Sequence, residues 1–323
     1  MVNKVLTFLK NWILPISMVL GILIYLTYYV TPALHPFGPA GYRIVTTAQP
    51  VLIFIMLFLQ FNRVSPHDLK ITWWQVILVM IQCGFFTAFA VLASMMEMGF
   101  AKIIVECAML CLICPTATAA GVVTGKLGGS VAQTMSYVVL INCAVSIFIP
   151  SIVPIVEGNS DLTFIHNFWI ILKKIFPTLI MPCIAAWIIR YCFGRLQRFL
   201  MRYTDMAFYF WSVGLMLALI ITTRQFVRRG MTLTDAVAIG LTALATCIFQ
   251  FLLGRRVGKP YGHSDFVTAG QALGQKNTNF MIWIGYTFLT PETSVAGGFY
   301  SIWHNLVNTY ELYRARKKAQ AKD

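Results

Sequence analysis

The side chains best able to do chemistry sit inside long apolar runs. Ala269-Gly270-Gln271-Ala272-Leu273-Gly274-Gln275-Lys276-Asn277-Thr278-Asn279 is a polar stretch in the middle of one run. A charged lysine at mid-bilayer depth costs at least about 2.5–3.5 kcal/mol, so Lys276 is expected to face a cavity or a partner. Snorkelling to the surface is the plainer alternative, but Lys276 lies about eleven residues into its run. A second interruption is Cys114-Pro115-Thr116-Ala117-Thr118-Ala119-Ala120-Gly121. Pro115 cannot donate a backbone hydrogen bond, and it disfavours helix at Cys114. Unwound backbone at that depth is tolerated only where protein or a water-filled cavity surrounds it. Each break starts a new half-helix, whose free N–H groups and dipole favour an anion. Two kinks with packing roles alone would leave Gln275, Lys276, Asn277 and Thr278 unexplained together.

Other reactive residues carry less. Glu106 is the second ionisable group within a run. Helical rise puts it about 12 Å from Cys114, which leaves a Glu106–Lys276 pair open. Cys107, Cys111 and Cys114 share one helical face. No histidine joins them, so packing is favoured over metal binding. His35, His67 and His263 are separate loop residues without metalloprotease spacing, and no nucleotide-binding loop is present. No enzyme activity, cofactor or metal is expected. Arg224, Arg228 and Arg229 form a cluster that fits either an external anion funnel or contact with lipid phosphates.

The elements that must hold these residues follow from composition. Only 11% of the 323 residues are charged, and 58% are hydrophobic; mean hydropathy is +0.73. A soluble chain carries about 25% charged residues. The net charge of +14 sits in short gaps between apolar runs rather than on one soluble face, which argues against nucleic acid. Ten runs approach the length of about 20 residues that a bilayer requires: roughly 11–30, 45–62, 73–95, 101–124, 131–156, 170–193, 206–223, 233–254, 265–289 and 293–313. The first is read as a span, since no small-residue cleavage site follows it. With the N-terminus inside, cytoplasmic segments carry seventeen Lys and Arg and external segments seven. The expectation is an all-α membrane protein with ten transmembrane helices and both termini cytoplasmic, in the plasma membrane of a bacterium. The connection at about 157–169 separates residues 1–157 from residues 158–323, five spans each. An odd number of spans per half forces opposite orientations, the arithmetic of an inverted repeat. The breaks fall in the fourth span of each half.

These residues resemble the bile acid:sodium symporter family over nearly the whole chain. Cys114 to Gly121 resembles the family's Cys-Pro-Gly-Gly-Thr-Ala-Ser-Asn break. Gly274-Gln275-Lys276-Asn277 resembles the end of its Glu-Val-Gly-Met-Gln-Asn break. Tyr300-Ser301-Ile302-Trp303-His304-Asn305 is similar to its Phe-Ser-Val-Trp-His-Asn stretch. The resemblance implies a panel of spans one, two, six and seven, and a core of the other six. Discontinuous helices four and nine would cross in that core, with Pro115, Gly121 and Gly274 in the crossover backbone. It implies substrate contacts from Thr118, Asn277, Thr278, His304 and Asn305. It also implies an ion site to which Gln82, Thr134 and Gln275 would contribute.

This chain departs from that pattern at the ion site. Ala120 and Gly121 replace the family's Ser and Asn, Ala272 replaces its Glu, and Lys276 replaces its Gln. A sodium ion beside an ammonium in a poorly solvated pocket is repelled by several kcal/mol. Lys276 is therefore expected to stand in for sodium, bonding the crossover carbonyls, with Gln82 and Thr134 as further candidates. The expected function is secondary transport of a small organic anion, such as a bile-acid-like or pantoate-like carboxylate, without sodium. A proton coupled through Lys276, or uniport or exchange, remains open. The alternatives are a sodium-coupled symporter with altered ligands, and an arsenite exporter of the same superfamily using Cys114.

Overall fold

The computed structural model describes residues 2–117, 119–157, 164–203 and 206–320. Among them every regular element is helical, with fourteen α-helices and four short 3-10 turns. The first half contains α1 (Val2–Val30), α2 (Gly38–Phe61), α3 (Trp73–Ser94), α4 (Phe100–Ile113), α5 (Ala120–Lys126) and α6 (Val131–Glu157). The second contains α7 (Phe164–Leu179), α8 (Met181–Cys192), α9 (Gly194–Met201), α10 (Met206–Arg228), α11 (Leu233–Gly258), α12 (His263–Gly274), α13 (Thr278–Phe288) and α14 (Ser294–Gln320).

Among the described residues, five helical segments are long and apolar enough to cross a membrane: Pro32–Phe61, Trp73–Ser94, Val131–Val156, Tyr209–Arg228 and Leu233–Tyr261. A sixth follows if α7 and α8, bent by 40° at their junction, form one span. The bend has a local cause. Pro182 has no N–H to give to Thr178, and its ring crowds that carbonyl. The other expected spans differ for identifiable reasons. Of α1, Pro15–Val30 is an apolar helix within the part whose side chains the structure describes. The pairs α4–α5 and α12–α13 are interrupted by non-helical backbone. The second half of α14 is basic. In the connection at about 157–169, the expected loop residues Gly158 to Asp161 lie outside the described residues, and the chain is helical from Phe164.

Sequence signals for helix starts are used as written. Thr232 opens α11 with a capping box: its Oγ1 accepts from Asp235 N at 3.2 Å, and its own N–H donates to Asp235 Oδ2 at 2.9 Å. Thr72 N donates to Gln75 Oε1 at 3.0 Å at the start of α3. Two strings of neighbouring helices stand out, joined through α7, which packs on α6, α2 and α8, and through α10, which packs on α13 and α14. In one, α1 packs on α10, α10 on α2, and α2 on α8. In the other, α3 packs on α4 and α6, and α11 on α12, α14 and α4. Small residues allow the closest approach. A Cβ at Gly254 would run into the Ala269 carbonyl, and one at Gly258 into that of Asp265. This is the small-xxx-small contact by which helices approach without a water-driven force. It seats α12 against α11 and thereby fixes the depth of the second break. The largest fully buried side chains include Trp74, Tyr137, Tyr300, Phe280 and, unusually, Lys276.

Candidate functional site: the crossing of two broken helices

The two interruptions meet. Thr116 and Lys276 form an isolated antiparallel β-bridge. Asn277 N donates to Pro115 O at 2.8 Å, and Ala117 N donates to Gln275 O at 2.9 Å. Each break thus satisfies backbone groups that the other has left unpaired, as buried backbone requires. Side chains complete the joint. Thr116 Oγ1 donates to Ala272 O at 2.6 Å. Cys114 Sγ donates to Asn277 O at 3.2 Å, and Tyr300 OH donates to Gly274 O at 2.8 Å.

The end of α4 explains Lys276. A helix leaves its last carbonyls without amide partners, and they carry the negative end of its dipole. Three side chains from three other elements take them in turn. Gln250 Nε2 donates to Cys111 O at 3.2 Å. Lys276 Nζ donates to Leu112 O at 3.3 Å. Gln82 Nε2 donates to Ile113 O at 2.8 Å and to Cys114 O at 3.1 Å. The amine of Lys276, 0% exposed, is therefore held at a helix C-terminus, where the dipole favours positive charge. The titratable groups within electrostatic reach of it are the thiols of Cys114, Cys111, Cys83 and Cys247. Glu106 is elsewhere: it is 0% exposed and accepts a short hydrogen bond from Thr290, tying α4 to the turn before α14. Lys276 is thus not paired with Glu106. Nor does it bond Gln82 or Thr134, the further partners expected from sequence; Gln82 stands beside it as a second donor to the same helix end.

The other expected residues divide by what their atoms do. Gln82 Oε1 is occupied by Tyr137 OH at 3.0 Å. Thr134 Oγ1 is spent on Ser130 O of its own helix, at 2.9 Å. Gln275 turns back to Gln271, whose amide donates to Glu311 at 2.6 Å, and Glu311 pairs with Arg255. Asn277 caps α13, its Oδ1 accepting from Phe280 N at 3.2 Å, and Thr278 is buried as the first residue of that helix. His304 is 2% exposed, and neither ring nitrogen has a partner. Its ring meets the edge of Tyr300 at 5.8 Å between centroids, one side chain away from the crossing. Asn305 bonds Ser301 O of its own helix at 2.8 Å. Thr118 lies outside the described residues. Gly274 is required by space, since a Cβ there would enter the Phe251 ring. Gly121 is not: its Cβ would meet Val131 at an ordinary 3.5 Å.

Sequence reasoning missed Gln250, Tyr137 and Gln49. Each is polar in a long apolar segment, which was the available signal. Gln49 Nε2 donates to Asn279 O at 3.2 Å, and Tyr286 OH donates to Gln49 Oε1 at 3.0 Å, so α2 touches α13 just beyond the break. Beside this contact a cleft of 490 Å³ between α2, α7 and α13 is lined by Tyr42, Thr46, Lys173, Lys174, Trp283 and Tyr286. Among the described residues, no group of three or more His, Cys, Asp and Glu is placed to hold a metal ion.

Fold and site together define a helical protein with membrane-length segments and a buried crossing of two broken helices. The chain matches no protein-family model and no curated protein.

Proposed function

We propose that this protein is a secondary transporter for a small organic anion, of the bile acid:sodium symporter kind, in which Lys276 takes the place of the coupling sodium. The ten spans of this reading are α1, α2, α3, α4–α5, α6, α7–α8, α10, α11, α12–α13 and α14, in two inverted halves with both termini inside. The set containing α1, α2, α8 and α10 is the panel. The set containing α3, α4, α6, α11, α12 and α14 is the core. The observation that carries the reading is the ammonium of Lys276 donating to the last turn of α4 inside the crossing. A fixed cation there does what a bound sodium would do, neutralising a helix C-terminus and bracing unwound backbone. The oxygens that would otherwise serve an ion are engaged, Gln82 Oε1 by Tyr137 and the Thr134 hydroxyl by its own helix.

An anion is favoured on the other side of the joint. Helix α13 begins there with its dipole pointing inward. The cleft between the two helix sets carries Lys173 and Lys174. Alternating access would then be movement of the core against the panel, with the crossing carried as one rigid piece.

The test is uptake of a panel of carboxylates and sulfonates into proteoliposomes at fixed pH, with sodium replaced by choline. Uptake is expected to survive without sodium and to fall at least tenfold in Lys276→Ala. Sodium-dependent uptake, or full activity and unchanged pH dependence in Lys276→Gln, would overturn the role given to the lysine.

A further inference from the structure

The arginine cluster at the end of α10 divides. Arg229 forms an ion pair with Glu292 at 3.4 Å, in the turn that precedes α14. Arg224 and Arg228 instead line an open cavity of 770 Å³ between α1, α2, α10 and the turn Pro32–Phe37. Arg43 on α2 lines the same cavity, and among the described residues no aspartate or glutamate does. The guanidinium of Arg224 lies 4.0 Å from the centroid of the Tyr42 ring. A guanidinium resting on an aromatic face keeps its N–H edges for an oxyanion.

One further feature points to a ligand. Tyr25 lines the cavity, is 4% exposed, and its buried hydroxyl has no partner. A buried hydroxyl without a partner is costly unless something else bonds it. The rest of the wall is apolar: Ile24, Leu34, Phe37 and Ile221. A basic, tyrosine-lined head space with an apolar wall at the end of a helix set fits an amphiphile.

We infer that this cavity binds a phosphate group carried on an apolar or glycerol body, held by Arg43, Arg224 and Arg228 and by the Tyr25 hydroxyl. The site lies within one helix set and is independent of the transport reading. The phosphate has two sources, a lipid head group or a soluble phosphomonoester. The purified full-length chain should be examined by native mass spectrometry after exposure to mixed phosphatidylglycerol–phosphatidylcholine micelles, and titrated separately with glycerol 3-phosphate. Retention of phosphatidylglycerol over phosphatidylcholine is expected to fall about tenfold in Arg224→Gln/Arg228→Gln and about threefold in Tyr25→Phe. Arg195→Gln/Arg198→Gln on α9 should leave it unchanged. Should the double variant not fold, Arg224→Lys keeps the charge but loses the planar fork and should still weaken retention. Saturable glycerol 3-phosphate binding, lost in the same variants, would support the site with a soluble source. Equal retention of both lipids and no glycerol 3-phosphate binding would overturn it, and so would equal losses in the α9 control.

Discussion

Lys276 and Gln82 do neighbouring jobs at the end of α4, but their removal should have opposite consequences. Gln82 is neutral and makes three buried hydrogen bonds, to Ile113 O, Cys114 O and Tyr137. Gln82→Leu leaves two carbonyls and a phenol without partners, and should destabilise the protein by about 2–3 kcal/mol. Lys276→Met deletes one charge-assisted bond worth about 1.5–3 kcal/mol, but also removes a desolvated charge whose burial costs several kcal/mol. Its melting temperature in detergent should therefore hold or rise while uptake is lost. A variant that melts several degrees lower would show that the ammonium is there for stability rather than for transport. The same logic explains what could be read from the chain. A lysine in an apolar run announces itself by its cost. Its partner, the Leu112 carbonyl, is backbone and has no sequence signature. The sequence pointed to the crossover carbonyls as a group but could not single out one, and of the side chains it added, Thr134 proved to be satisfied by its own helix.

At the level of elements, the breaks were legible because Pro115 and the run from Gln275 to Thr278 violate the rules of a continuous span. The division of the sixth expected span into α7 and α8 was harder to see, although Pro182 lies in that run. Proline kinks inside membrane helices are common and do not by themselves end a helix, as Pro150 and Pro154 within α6 illustrate. Close helix approach was also hidden, since glycine spacing has meaning only once the facing helix is known. Gly254→Val should push α11 off the Ala269 backbone, which has no rotamer with which to yield, and cost about 1–3 kcal/mol or more. Gly121→Ala, with an ordinary contact to Val131, should fold and melt like the parent. If thermal melts rank these two in the reverse order, the packing account of α12 placement is wrong.

For the whole molecule, polar links tie the proposed panel to the proposed core. Gln49 reaches Asn279 and Tyr286, and Arg229 reaches Glu292. The ion pair is half exposed on the arginine side and should contribute less than about 1 kcal/mol, so Glu292→Gln should barely change stability. Movement of one set against the other would have to break the Gln49 contacts. Cysteines placed at 49 and 279, with the exposed Cys143 and Cys192 changed to serine, should cross-link. Uptake should then stop and return on reduction; a cross-linked protein that still transports would rule out this movement. The backbone exchange at the crossing has a different consequence, in time rather than space. Pro115 leaves the ribosome about 160 residues before Gln275, roughly 10–30 s at the usual rate of synthesis. Throughout that interval the first break has none of the partners supplied from 275–277. The nascent chain must either keep that segment out of the lipid or shelter it until its counterpart emerges. Residues 1–157 made alone should therefore be degraded, and should be rescued when residues 158–323 are made in the same cell.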